Sequence, residues 1–110
     1  MSKLEDLMVK YRESLNNAGV SKIDEDFLKA TAKGLGPSIY LPDASMVSCS
    51  DQTELDRVKN NYLIKKLGMT DSSKLDDAIK AVCNQMGSSN RTKYRVVFYY
   101  LLSENLGNRP

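Results

Sequence analysis

The chain has 110 residues, 41% of them hydrophobic and 27% charged, with a formal net charge of +2 and neither histidine nor tryptophan. That length suits one domain, taken as residues 1–110, and the apolar content argues against disorder. Without histidine the chain lacks the commonest general base, metal ligand and physiological pH switch, and a net charge this small is no chain-wide nucleic-acid or membrane surface.

Six glycines punctuate the sequence, and those at 19, 34/36, 68, 87 and 107 each close a segment whose apolar residues recur with helical period. Five helices are predicted. The first covers about Ser2 to Asn16, opened by a Ser2/Glu5 capping box, with Leu4, Leu7, Met8, Tyr11 and Leu15 on one face. The second runs from about Ser21 to Lys33. Ile23, Phe27 and Ala30 face inward there, with Leu28 as a further candidate, and Asp24, Glu25 and Asp26 in the first turn suit the helix dipole. Between it and the third helix lies a long stretch, residues 36–50, in which Pro37 and Pro42 block regular structure. Ile39, Tyr40, Leu41, Met46 and Val47 make it too apolar for a solvated linker, so it is expected to pack on the helices.

The third helix is placed at about Asp51 to Leu67, with Asp51 and Glu54 as a cap pair and Leu55, Val58, Tyr62, Leu63 and Leu67 toward the core. The fourth, about Ser72 to Met86, has the clearest pattern: Leu75, Ala78, Ile79, Val82 and Met86. The fifth, about Thr92 to Leu106, contains Val96-Val97-Phe98-Tyr99-Tyr100-Leu101-Leu102. Its β-branched and aromatic residues would suit a strand, but no partner strand exists in the sequence and the segment ends at Gly107. A helix apolar on nearly every side is an enclosed one, so this is expected to be the central helix. The fold class predicted is all-α, a compact single-domain five-helix bundle with a long packed loop between helices 2 and 3.

Val47-Ser48-Cys49-Ser50-Asp51, Lys65-Lys66-Leu67-Gly68, Val82-Cys83 and Phe98-Tyr99-Tyr100-Leu101-Leu102 form a series over about residues 45–107. It resembles a small bacterial family of roughly hundred-residue proteins classed only as a domain of unknown function. The resemblance implies a compact helical bacterial protein, and no catalytic residue, cofactor or partner comes with it.

Charge and cysteines raise three candidate sites. Residues 1–36 carry six charges of each sign, whereas the last twenty carry Arg91, Lys93, Arg95 and Arg109 against Glu104. Arg91, Lys93 and Arg95, with Tyr94, make a basic-aromatic cluster of the kind that binds nucleic acid; the plainer reading is solvated charge at a helix start. Ser48, Cys49 and Ser50 open the third helix, where a thiol or small anion could be held. Against this, Asp51 already fills the cap, no histidine is present as a base, and a small buried cysteine explains Cys49 equally well. Val96, Tyr99 and Tyr100 form the back of the last helix, read as core or as a self-association surface.

Cys49 and Cys83 make no CxxC motif, and no metal or cofactor is expected. Whether they join is a matter of geometry, which sequence leaves open. With no signal-like leader and no membrane-length apolar run, the expectation is a soluble cytoplasmic protein with reduced thiols. The leading functional reading is a non-enzymatic interaction module binding a protein partner or itself. Weak nucleic-acid binding and a thiol or small-anion site are the alternatives.

Overall fold

The computed structural model describes residues 2–110. Among them five α-helices occur in chain order: α1 (Lys3–Asn17), α2 (Glu25–Leu35), α3 (Gln52–Val58), α4 (Ser73–Met86) and α5 (Arg95–Leu106). A 3-10 turn, Gly36–Tyr40, follows α2, and α3 runs directly into a π-helical stretch, Lys59–Lys66. The all-α reading holds. Among the described residues no helix is long and apolar enough to cross a membrane.

Local chemistry accounts for most of the boundaries. Ser2 Oγ accepts from Glu5 N at 3.2 Å and starts α1, whose Met8, Tyr11 and Leu15 are buried. Burial and the neighbouring phenols of Tyr94 and Tyr40 push the Tyr11 hydroxyl up to about 12, so it stays neutral at any ordinary pH. The second helix starts later than Ser21, because the Asp24 carboxylate accepts from Phe27 N at 3.1 Å and becomes the cap. Its inner face is accordingly Leu28 and Ala32, with Ala30 exposed. Gly34 lies inside this helix; the stop is Gly36, at φ 64°.

On α4 all five expected residues, Leu75, Ala78, Ile79, Val82 and Met86, are buried. Eight consecutive residues of α5, Val96 to Ser103, are buried as well, and the helix packs against α1, α2 and α4. Each large apolar side chain enclosed this way stabilises by roughly 1.5–3 kcal/mol. Its polar atoms are matched: the Tyr100 hydroxyl accepts from Asp24 N at 2.9 Å, and Tyr62 and Ser103 share a hydroxyl–hydroxyl bond of 2.7 Å. Among the described residues no buried side-chain nitrogen or oxygen lacks a partner. That agrees with the cost of leaving such a group unpaired.

Three further expectations are corrected. Helix α5 begins at Arg95 rather than Thr92, because residues 92–94 are held extended beside the long loop. Val47 N donates to Lys93 O and Arg95 N to Ser45 O, each at 2.8 Å, around an isolated antiparallel bridge between Met46 and Tyr94. The loop therefore packs down through Ile39 and Val47, while Tyr40 and Leu41 point outward. The third helix changes character at Lys59. Val58, Tyr62, Leu63 and Leu67 are spaced by four and five, which suits both α and π bonding. The i→i+5 bond from Leu67 N to Tyr62 O, 2.9 Å, shows which pattern the packing selects. Tyr62 is thereby stacked on Tyr99, with ring centroids 4.0 Å apart and planes 12° apart.

The reduced-thiol expectation is the third. Cys49 and Cys83 form a disulfide, with Cα atoms 5.9 Å apart, since the loop's return beside residues 92–94 lays Cys49 across the outer side of α4. It closes a sequence separation of 34 residues, for which chain entropy predicts about 3–4 kcal/mol. Cys49→Ser/Cys83→Ser should lower urea-unfolding stability by about that amount while the far-ultraviolet helix signal stays native, because the main core lies elsewhere. A double variant as stable as the parent would show that the bridge constrains nothing.

Candidate functional site

The loop, once bonded to Cys83, stands off from α4 and leaves an open groove of ≈ 1070 Å³ between them. Two sets of residues that the sequence keeps more than 40 positions apart meet there: Ser48, Cys49 and Ser50 on one side, Arg91 and Lys93 on the other. Ser48 and Ser50 hydroxyls lie 3.2 Å apart. Lys80 and Asn84, one turn apart on the exposed face of α4, complete the wall. Sequence reasoning missed both. The spacing Asp76, Lys80, Asn84, next to Cys83, is the signal that would have placed them on the disulfide's face of the helix.

Lys93 is the unusual member. Only 6% of it is exposed, yet among the described residues its ammonium group has no carboxylate within ion-pair distance and donates to a single acceptor, Asn90 O. Lysine is almost never this enclosed without a counter-charge, since a buried charge needs compensation. Lys80 and Arg91 are exposed and likewise form no ion pair among the described residues.

The acidic residues around the groove are mostly occupied. Asp51 accepts from Thr53 N (3.0 Å) and Glu54 N (3.4 Å) as the α3 cap. Asp76 pairs with Lys59 at 3.2 Å, and together with Asp71 it holds that ammonium above its ordinary range. Glu54 is turned toward Arg95 and Arg57, and among the described residues Asp43 and Asp51 form no ion pair. The groove thus sets three cations without an ion pair among the described residues against two such carboxylates, with the Ser48 and Ser50 hydroxyls in the same lining, an arrangement suited to a phosphate or carboxylate group.

Two of the sequence candidates are not surface sites. Arg95 leaves the basic cluster because α5 turns its guanidinium inward. Nε donates to Ala44 O at 2.8 Å, Nη2 to Met46 O at 3.0 Å, and the same nitrogen pairs closely with Glu54. Burial opposes the charge, but Glu54 and Tyr99 outweigh it and hold the guanidinium pKa above its ordinary value. Val96, Tyr99 and Tyr100 are 1%, 7% and 0% exposed, so they form core and offer no self-association surface. Cys49, bonded to Cys83, is not a free thiol, and the nucleophile reading loses its nucleophile.

A protein-family model matches residues 10–109, so its reach extends well into the N-terminal helices, beyond the C-terminal part whose motifs carry the resemblance. The family is described as a protein of unknown function. No curated protein is similar enough in sequence to match.

Proposed function

This chain belongs to the DUF2853 family of unknown function, and from that premise we propose that it is a non-catalytic binding module that holds an anionic group of a protein partner in the groove between the 42–51 loop and α4. The observation that carries this reading is Lys93: a buried lysine with no ion pair among the described residues, in the lining of the same groove as Arg91 and Lys80. A carboxylate or phosphate from a partner supplies the missing charge, and Ser48 and Ser50 supply donors for its remaining oxygens. Self-association through the last helix is no part of the proposal, because that face is enclosed.

Calorimetric titration with a phosphoserine peptide and its unphosphorylated twin tests it. The phosphorylated form should bind, and Arg91→Gln/Lys80→Gln should weaken it about tenfold or more, the loss expected from two charge-assisted contacts. The melting temperature should not change, since both side chains are exposed. Equal binding of both peptides, or an unaffected double variant, overturns the proposal.

The nucleic-acid reading keeps only Arg91 and Lys93 of its three residues. Electrophoretic binding that falls steeply between ~50 and ~200 mM salt, and that Arg91→Gln abolishes, would put it in place of the peptide reading.

A further inference from the structure

On the other side of α3 the same loop borders a second cleft, of ≈ 830 Å³, enclosed by α2, α3 with its π-helical continuation, and α5. We propose that this cleft is a separate binding site for a small organic anion, one with a flat apolar body and a single carboxylate, sulfonate or phosphate.

Four observations converge on it. The first is its lining: Phe27 and Leu35 from α2 meet the stacked Tyr62 and Tyr99 rings, an apolar floor of the size that encloses a small ligand. The second is charge. Glu54 is the carboxylate for two guanidiniums, pairing closely with Arg95 and at 3.6 Å with Arg57, while Lys66 at the mouth has no ion pair among the described residues. With Asp43 at the edge and Pro110 also on the rim, the lining side chains set three cations against two carboxylates. An anionic ligand restores the balance where a neutral or cationic one would not.

The third is the π-helical stretch. Such helices are rare and recur at functional sites, and this one delivers Asn61, Tyr62 and Lys66 to the cleft wall. The fourth is Gly34. It lies within α2 without needing a positive φ, although glycine weakens a helix interior. A Cβ there would meet only Lys66 Nζ, at 3.8 Å, so nothing in the packing demands a glycine. What the missing side chain provides is an open mouth beneath the Lys66 ammonium.

Fluorescence titration with 8-anilinonaphthalene-1-sulfonate, beside its uncharged counterpart N-phenyl-1-naphthylamine, tests the site on the intact protein. The sulfonate should bind saturably at one site per chain. Gly34→Leu should weaken it about tenfold or more with the melting temperature kept or raised, because leucine favours the helix and fills the mouth. Lys66→Gln should weaken the sulfonate about fivefold or more and leave the uncharged probe unchanged. Arg91→Gln, in the other groove, should affect neither probe. Its failure to disturb this site is independent of whether the peptide proposal stands.

Unsaturable binding by the parent, an unaffected Gly34→Leu variant, equal losses for both probes in Lys66→Gln, or a loss in Arg91→Gln each overturns the assignment.

Discussion

Val82→Asp is expected to abolish cooperative folding of this chain at room temperature. Val82 is 0% exposed on the inner side of α4, where that helix packs on the enclosed α5. A carboxylate at this position has no cation to meet. It must either stay charged in an apolar layer or take up a proton and still lack a full set of hydrogen-bond partners. Either route costs several kcal/mol, against a total stability of about 5–15 kcal/mol for a domain of ordinary size. Ala81→Asp, one residue earlier and exposed on the same helix, changes stability by no more than about 0.5 kcal/mol. Thermal unfolding followed by circular dichroism checks the pair. If both variants melt like the parent, the inner face of α4 is misplaced.

Removing Glu54 should also be strongly damaging. Its carboxylate is the counter-charge for Arg95, and both side chains are about 15% exposed. In Glu54→Ala the guanidinium keeps its two carbonyl acceptors, Ala44 O and Met46 O, but loses its anion. An enclosed charge left this way costs about 3 kcal/mol, or roughly 15 °C in melting temperature for a chain of this length.

Arg95→Met should cost at least as much for a different reason. It leaves those two loop carbonyls without their donors, and it frees the segment that α5 holds in place. Urea titration of both single variants and the double variant gives the coupling. Positive coupling of about 1 kcal/mol or more is expected for groups in direct contact. Strict additivity would show that the two side chains do not act as a pair.

The Arg95 bond explains why the nucleic-acid candidate reads well in sequence and poorly in the fold. Arg91, Lys93 and Arg95 alternate along the chain, and in sequence they differ only in position. The extended pairing of residues 93–95 with 45–47 separates them. Arg95 is directed to Glu54 on one side, while Arg91 and Lys93 border the groove on the other. Such a pairing joins residues almost fifty positions apart, and no window of local periodicity contains it.

Much of the architecture was legible without coordinates. The spacing of apolar residues by three and four places α1 and α4 and identifies their inner faces, and the unbroken apolar run of α5 reveals that this helix is enclosed. These follow from the sequence because a helix's period and its caps involve side chains within about four positions of one another. The start of α2 is not fixed by the same logic, since Ser21 and Asp24 are both suitable cap residues and only the bond to Phe27 N chooses between them.

Tertiary structure alone decided what could work as a site. It joined Cys49 to Cys83, brought Ser48 and Ser50 to Lys80 on α4 and to Arg91 and Lys93 beyond it, converted the end of the third helix to π bonding, and opened the cleft over Gly34. Each of these depends on which distant surfaces meet and on charges that pair across the fold. That information belongs to packing and not to any local pattern of residues.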